Sequence, residues 1–423
     1  MIKISQKNLN PIINGLKPSA TLAINEKSRQ LAGEGKKIYR LGFGQSPFPV
    51  PESVVEALKE NAHQKDYLPV KGLWSLREMV ADYKGRKKGL DRTAEDVLIG
   101  PGSKELLFLL QLVFYGDLLI PKPSWVSYAP QAKIVGRQVH WISTRQENDW
   151  RLKAEELEVF CVTDPDRPRL LILNYPSNPS GTTYEEKELI ELAKVARKYR
   201  LVLLSDEIYG ELHHKGQHVS MAHFYPEGTI VSGGLSKWCG AGGWRLGTFT
   251  FPTSLGWLRD ALAVAASETF TATSAPIQYA AVRAFEGGKE IETYLADSRR
   301  VLATIVKGLS EKLVAHHISH PKPQGAFYLF PNFEHYRENL AQRGILTSMD
   351  LCNQLLLDSG VALLPASDFG FPPEVLAARL SYVDFDGGKS LKLIRENQND
   401  ESFLDAIAPQ MLEGIGRMTD WLK

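Results

Sequence analysis

The chain contains 423 residues, of which 43% are hydrophobic and 23% are charged, and its formal net charge at pH 7 is +1. This balance gives no electrostatic reason to expect a nucleic acid or a membrane surface as a partner, and no apolar run reaches the about twenty residues of a membrane-spanning helix. The three cysteines form no paired motif, so no metal or disulfide framework is predicted, and the lack of a leader-like apolar run near the N-terminus predicts a cytoplasmic protein.

From about residue 95 onward, short apolar segments alternate with longer amphipathic ones. Several segments are almost continuously apolar, which is typical of strands that helices cover on both faces. The pattern predicts an α/β fold with a seven-stranded, mostly parallel sheet. The predicted strands span Asp96–Gly100, Asp117–Pro121, Gln138–Ser143, Leu170–Asn174, Leu201–Ser205, Thr229–Gly233 and Arg245–Phe251. The predicted helices among them span Ser103–Tyr115, Val126–Val135 and Glu185–Tyr199.

Beyond the predicted sheet, long helical stretches are followed by short strand-like ones. The predicted helices are Ser254–Gly287, Lys289–His316 and Glu401–Trp421, and the predicted strands are His317–His320, Ala326–Phe330, Val361–Leu364 and Leu380–Val383. These elements predict a smaller α+β domain, against which the N-terminal segment is expected to pack. The predicted division is a large domain over 51–290 and a small domain built from 1–50 and 291–423.

Polar residues follow the carboxyl ends of several predicted strands, namely Gly102-Ser103, Asn178, Asp206 and Lys237. Ligands of open α/β sheets bind at this edge, so a single site assembled from several loops is predicted. Each residue alone is also explained as a helix cap or a turn former. Their occurrence together at one edge favours the functional interpretation.

The segment Ser236–Gly247 places a lysine, several glycines and an arginine close together. Lys237 is suited to bond covalently to the aldehyde of a cofactor, and glycines beside it let the backbone approach a bulky ligand. Arg245 is suited to hold an anion, of which phosphate is the natural choice. Together with Asn178, Asp206 and Tyr209 upstream, this segment predicts pyridoxal phosphate as the cofactor.

Asp206 ends a buried apolar run, where a carboxylate is costly unless it is paired. The protonated ring nitrogen of pyridoxal phosphate is a suitable partner, because enzymes that use this cofactor pair that nitrogen with an acid. Tyr209 and Asn178 are placed to bond the ring hydroxyl. Lys237, Asp206 and Tyr209 are the predicted catalytic residues.

Other residues also suit binding of this cofactor or its substrate, but each has an ordinary structural explanation as well. Gly102, Ser103 and Lys104 begin a predicted helix whose first N–H groups suit a phosphate. An ordinary glycine turn that binds no ligand explains the same sequence. Trp125 suits stacking on a flat heterocycle or a place in the core. Arg379 suits a carboxylate, or a surface salt bridge.

The chain resembles the class I and II aminotransferases, which are fold type I pyridoxal phosphate enzymes related to aspartate aminotransferase. The resemblance covers nearly the full length. The motifs that carry it are Lys17–Thr21, Tyr67-x4-Gly72-x3-Leu76-Arg77, Ser205–Tyr209, Ser236–Gly247, Gln324–Tyr328 and Arg379–Tyr382.

The resemblance implies an aminotransferase that moves an amino group from an L-amino acid to a 2-oxo acid by a ping-pong mechanism. It also implies a homodimer with active sites shared at the subunit interface. The cofactor-binding residues so predicted are Gly102, Ser103, Lys104, Trp125, Asn178, Asp206, Tyr209, Ser236, Lys237, Arg245 and Tyr67 of the partner subunit. The substrate-binding residues so predicted are Gly44, Asn178, Phe327 and Arg379, with Arg379 on the α-carboxylate.

Two departures from the family pattern bear on function. Gly234 stands where relatives commonly carry a phosphate-binding serine, although Ser232 and Ser236 lie nearby. Gln45 replaces a familiar glutamate near the predicted substrate entrance, so the amino-acid preference is not carried over. The candidate specificity residues are Ser19, Thr21, Gln45 and Phe327, and the candidate cations for a second substrate carboxylate are Lys17 and Lys104.

Two other functions are compatible with the same anchor residues. A C–S β-lyase or a decarboxylase of this fold shares them, so they do not separate these activities from aminotransfer. A non-catalytic regulator of the same fold is disfavoured, because the enzyme fold accounts for the whole chain and no basic helix-turn-helix segment is evident.

Overall fold

The computed structural model describes residues 10–16, 18–396 and 402–423. Its larger sheet consists of β1 (Val97–Gly100), β2 (Asp117–Pro121), β3 (Val139–Ile142), β4 (Arg169–Asn174), β5 (Val202–Asp206), β6 (Thr229–Gly234) and β7 (Gly247–Thr250). The spatial order is β1-β7-β6-β5-β4-β2-β3. Within this sheet only β7 runs antiparallel to its neighbours, so the predicted α/β class with a mostly parallel sheet is confirmed.

Helices make up much of the remaining described structure, and some of them flank this sheet while others pack with the later part of the chain. They are α1 (Ala20–Gly33), α2 (Glu52–Asn61), α3 (Trp74–Lys88), α4 (Ser103–Val113), α5 (Tyr128–Ile134), α6 (Ala154–Cys161), α7 (Glu186–Lys198), α8 (Gly256–Ser267), α9 (Ala275–Glu286), α10 (Lys289–Ala315), α11 (Arg337–Gln342), α12 (Ser348–Ser359), α13 (Gly387–Glu396), α14 (Ser402–Ile407) and α15 (Pro409–Leu422). Among the described residues, no helix has the length and apolar character needed to cross a membrane.

The central strands are buried on both faces, which explains their unbroken apolar runs. Leu204 of β5 packs into a cluster with residues of α4 and α8, whereas its neighbour Leu203 packs on the opposite face with residues of α6 and α7. Both leucines are fully buried. Burial of such a side chain contributes about 2 kcal/mol, so the sheet is a rigid base for the loops at its carboxyl edge.

A smaller antiparallel sheet lies later in the chain, formed by β8 (Tyr328–Leu329), β9 (Leu364–Pro365) and β10 (Ala378–Ser381) in the order β8-β10-β9. The N-terminal segment contacts this part of the molecule. Leu31 of α1 packs with Leu356 and Ala362, and Tyr39 forms a bridge with Val361. The domain boundaries at residues 50 and 290 stay a prediction.

Two predicted helices are interrupted in the structure. Ser254–Gly287 divides into α8 and α9, because Thr271 between them has a φ of 61° and Pro276 starts a new helix. Glu401–Trp421 divides into α14 and α15 at Pro409, and Glu401 itself lies outside the described residues. The predicted strand His317–His320 is reduced to a single bridge between Ser319 and Asn332.

Candidate active site

A cavity of about 470 Å³ opens at the carboxyl edge of the larger sheet. Most of the site residues predicted from the sequence line it. They are Gly44, Ser103, Lys104, Trp125, Asn178, Asp206, Tyr209, Ser236, Lys237, Arg245 and Arg379. Gly102 lies against Arg245, and the ring of Phe327 lies 5.8 Å from the Lys237 Nζ atom. The structure thus gathers loops from the carboxyl ends of five strands, β1, β2, β4, β5 and β6, around one space.

Lys237 follows β6 and places its amine inside the cavity. Its Nζ atom donates a hydrogen bond of 2.7 Å to the carbonyl oxygen of Gly44. Burial lowers the pKa of this lysine to about 8, and the nearby cations Arg379 and Arg245 act in the same direction. A lysine with such a pKa holds a large neutral fraction near physiological pH, which is the form that reacts with an aldehyde.

Asp206 closes β5 with a fully buried carboxylate. Its Oδ2 atom accepts a hydrogen bond of 2.5 Å from the Tyr128 hydroxyl, and burial raises its pKa, although this hydrogen bond opposes the shift. A buried carboxylate with one close phenolic donor still lacks a countercharge. A protonated ring nitrogen satisfies that requirement, so Asp206 fits the pyridine end of the predicted cofactor.

Tyr128 was not recognised in the sequence, although it lies only three residues after Trp125. The two rings pack edge to face with centroids 5.1 Å apart. Trp125 is half-buried and lines the cavity, with the Lys104 Nζ atom 5.3 Å from its ring. This placement suits the predicted stacking role, which stays a prediction.

The opposite end of the cavity is suited to a phosphate. Gly102 has a φ of +91°, and a Cβ atom there would lie 2.3 Å from the Arg245 Nη2 atom. Gly247 approaches even more closely, since its Cβ would lie 2.1 Å from the Ser103 backbone nitrogen. The first turn of α4 and the Arg245 guanidinium therefore converge, as expected of an anion site.

Gly234 has a steric reason to be glycine. Its φ is +150°, and a Cβ atom would lie 2.6 Å from the carbonyl oxygen of Leu246. A serine would not fit here without a backbone shift. Ser236 lines the cavity, so it is the serine that we propose takes part in phosphate binding.

Arg379 lies on β10 with its guanidinium fully buried, which rules out the surface salt bridge considered from the sequence. Its Nη1 atom donates to Asn178 Oδ1 at 3.0 Å, and its Nη2 atom donates to the carbonyl oxygen of Gly42 at 2.7 Å. Burial lowers its pKa. The Nε atom is buried and makes no hydrogen bond to a described residue, which suits an incoming carboxylate.

Two buried tyrosines form the wall between Lys237 and Arg379. The hydroxyls of Tyr209 and Tyr328 lie 2.8 Å apart, and burial raises the pKa of both. A Cβ atom at Gly44 would lie 2.5 Å from the Tyr328 hydroxyl, so this close approach requires glycine. Tyr328 was not singled out from the sequence, although it lies within the Gln324–Tyr328 motif.

Two predicted contributors are not among the residues that line the cavity. Tyr67 is 93% exposed and does not line the cavity. Lys17 lies outside the described residues. The candidate specificity residues Ser19, Thr21 and Gln45 do line the cavity, whereas Phe327 is buried behind it.

Comparison with known proteins agrees with this geometry. The family model described as Aminotransferase class I and II matches residues 36–384. The aspartate aminotransferase of Geobacillus stearothermophilus is 35% identical over 381 residues, which cover 88% of this chain and 93% of that protein. The aspartate aminotransferase of Bacillus sp. strain YM-2 is 31% identical, with coverage of 91% and 95%.

Solved structures show the same similarity. The aspartate aminotransferase from Thermus thermophilus with maleate is 28% identical and superposes with a TM-score of 0.81. The alignment covers 92% of this chain and 99% of that one.

The lowered pKa of Lys237 predicts how the apoprotein takes up pyridoxal phosphate. The rate of covalent uptake should rise roughly tenfold between about pH 7 and about pH 9 and then level off, since the amine of pKa about 8 is then neutral. Stopped-flow absorbance of the bound cofactor measures this rate. The same series with a free alkylamine corrects for titration of the cofactor itself. A corrected rate that keeps rising above about pH 10, as for an ordinary lysine, would contradict the prediction.

Proposed function

Since the chain belongs to the class I and II aminotransferases, we propose that it transfers the amino group of an acidic L-amino acid to a 2-oxo acid. It is a pyridoxal phosphate-dependent transaminase. The observation that carries the proposal is the convergence of Lys237, Asp206 and Arg379 on one cavity. The curated relatives, which are named as aspartate aminotransferases, favour aminotransfer over the lyase and decarboxylase alternatives.

In this proposal, different residues bind different parts of the cofactor. When bound, pyridoxal phosphate supplies an electron sink for the electron pair released at the substrate α-carbon. Asp206 would hold the ring nitrogen, and Asn178 and Tyr209 would hold the ring oxygen. Trp125 would lie against the ring. The phosphate would be held by the N-terminus of α4 with Gly102, Ser103, Ser236 and Arg245.

Lys237 has the role of moving a proton. Its amine lies in a space closed by Gly44, Tyr209 and Phe327, with the ring of Tyr209 at 5.6 Å from Nζ. With a pKa of about 8, the amine can accept a proton from the substrate α-carbon and return it without a large energetic penalty in either direction. Two successive half-reactions through this one amine give ping-pong kinetics.

Arg379 orients the substrate. Its guanidinium is held by Asn178 and by the Gly42 carbonyl oxygen, so it presents a fixed donor surface to the α-carboxylate. Burial strengthens this contact, because little water competes for the charge. The α-carbon is thereby held within reach of Lys237 Nζ.

Lys104 is the cation that we assign to the second carboxylate of an acidic substrate. It lines the same cavity, and its ammonium lies beside the Trp125 ring. Partial burial and the neighbouring Arg245 lower its pKa. A carboxylate there relieves this unfavourable environment, as in a charge-assisted hydrogen bond. The name aspartate aminotransferase of the relatives supports an acidic substrate.

We propose a homodimer on the family motif that contains Tyr67. Tyr67 and Trp74 are 93% and 48% exposed, and both lie in the segment Tyr67–Arg77, whose resemblance to the family motif implies shared active sites. Single exposed aromatic residues are common on protein surfaces, so the motif and not the exposure carries this proposal. The cytoplasmic location also stays a prediction, which cell fractionation tests.

Aminotransfer predicts a reversible colour change. The visible absorbance of the holoenzyme should bleach with L-aspartate or L-glutamate and return on addition of a 2-oxo acid. Lys237→Ala should lose at least about a thousandfold in the rate of this cycle, because the proton-moving amine is gone. Release of carbon dioxide, or of pyruvate and ammonia without an oxo-acid acceptor, would identify a decarboxylase or a lyase instead.

Lys104→Met should raise the KM for L-aspartate about tenfold more than the KM for L-alanine, since only L-aspartate has a second carboxylate that loses its cation. Steady-state kinetics with both substrates measures the difference. Lys133→Met, on the exposed face of α5, is the matched control. An equal change for the two substrates would reject Lys104 as the side-chain cation.

Shared active sites predict that Tyr67→Ala weakens binding of pyridoxal phosphate by about tenfold, through loss of a phosphate contact from the partner subunit. Tyr115→Ala is the control, because Tyr115 is equally exposed at 90%. Light scattering should give twice the mass of one chain. A monomeric, fully active protein would overturn the dimer.

A further inference from the structure

Asn174, the last residue of β4, uses both ends of its side-chain amide. It pairs in register with Asp206 of β5, and its Nδ2 atom donates to the Asp206 carbonyl oxygen at 2.9 Å. Its Oδ1 atom accepts a hydrogen bond of 2.8 Å from the backbone N–H of Asn178. The side chain therefore ties the strand that carries Asp206 to the loop that carries Asn178.

Asn178 continues the connection to a second part of the molecule. Its Oδ1 atom accepts the 3.0 Å hydrogen bond from Arg379 Nη1, and Arg379 lies on the smaller sheet. Because Oδ1 faces Arg379, the Nδ2 group of Asn178 is left to donate toward the proposed ring oxygen. Three hydrogen bonds thus run from Asp206 through Asn174 and Asn178 to Arg379.

We infer that Asn174 is a positioning residue. It sets the distance between Asp206, whose carboxylate would bind the cofactor, and Arg379, whose guanidinium would bind the substrate. The inference rests on the proposed function of these two groups. The substrate must place its α-carbon beside Lys237 while its carboxylate is held by Arg379, and small errors in such placement cost large factors in rate. Asn174 acts on this placement through Asn178.

The chemistry of the asparagine amide is needed at this position. One end must donate to a carbonyl oxygen, and the other must accept from an N–H group. Aspartate cannot donate to the Asp206 carbonyl oxygen, and it adds a negative charge close to the Asp206 carboxylate. Alanine leaves both backbone groups without these bonds. We therefore expect Asn174→Asp to be more damaging than Asn174→Ala.

A purely structural role in the turn is the competing explanation, and a matched control separates the two. The Asn332 Oδ1 atom accepts a comparable hydrogen bond of 2.8 Å from the backbone N–H of Glu334, and neither residue lines the cavity. Asn174→Ala and Asn332→Ala should lower the melting temperature of the holoenzyme to a similar extent. Only Asn174→Ala should change ligand binding at the site.

The deciding measurement is binding of maleate, an unreactive dicarboxylate, to the holoenzyme by calorimetry. Asn174→Ala should weaken it by about tenfold, and Asn332→Ala by less than about twofold. Tryptophan fluorescence measures the affinity of each apoprotein for pyridoxal phosphate. This second measurement does not depend on catalytic turnover. Unchanged maleate binding in Asn174→Ala, or equal weakening in both variants, would overturn the inference.

A double-mutant cycle tests the route through Asn178. If Asn174 acts through Asn178, the effects of Asn174→Ala and Asn178→Ala on maleate binding should be clearly less than additive. Full additivity would contradict that route. If the wild-type enzyme binds no dicarboxylate, the proposed acidic substrate fails. The same variants are then compared with the carboxylate substrate that the enzyme does use, so the two failures remain distinguishable.

Discussion

The charged groups of Asp206, Lys237 and Arg379 share a cavity in which protein replaces most of the water around them, and the architecture of the site follows from that constraint. The desolvation of a buried charge costs several kcal/mol, so each group needs polar partners in fixed positions. These partners are the Tyr128 hydroxyl for Asp206, the Gly44 carbonyl oxygen for Lys237, and the Gly42 carbonyl oxygen and Asn178 for Arg379. The protein supplies only some of the partners that these buried charges need. The cationic ring and the anionic phosphate of the cofactor, with the carboxylate of the substrate, would supply the others.

The sheet topology brings these groups together. β5 and β6 are parallel neighbours, so the loops that follow them meet at one edge, with Asp206 on one and Lys237 on the other. β7 lies antiparallel between β6 and β1, and this reversal carries Arg245 back to the start of α4. Parallel strands alone would place the arginine at the opposite end of the sheet. The single antiparallel strand is therefore the feature that adds a phosphate-binding end to the site.

The sequence predicted what depends on local pattern and on single residues. The seven strands, the carboxyl-edge location and the residues Asp206, Lys237 and Arg245 could be read from apolar runs and chemical type. Tyr128 and Asn174 could not, because their roles depend on distances across the sheet that no local spacing encodes. The break at Thr271 was missed although the sequence does signal it, because Thr269, Thr271 and Thr273 are poor helix formers and Pro276 starts a new helix. The predicted role of Tyr67 depends on a second chain that only the family resemblance implies, so it stays a prediction.

Gly234 shows how a fold can restrict the later history of an active site. The backbone geometry there and the nearby Leu246 carbonyl oxygen leave no room for a Cβ atom. Placing a side chain at this position requires the backbone of two neighbouring strands to move, because Gly234 ends β6 and Leu246 directly precedes β7. The residue that position 234 tolerates therefore depends on the backbone path at position 246, which is a physical form of epistasis. A hydroxyl on this side of the cavity has to come from another position, such as Ser236.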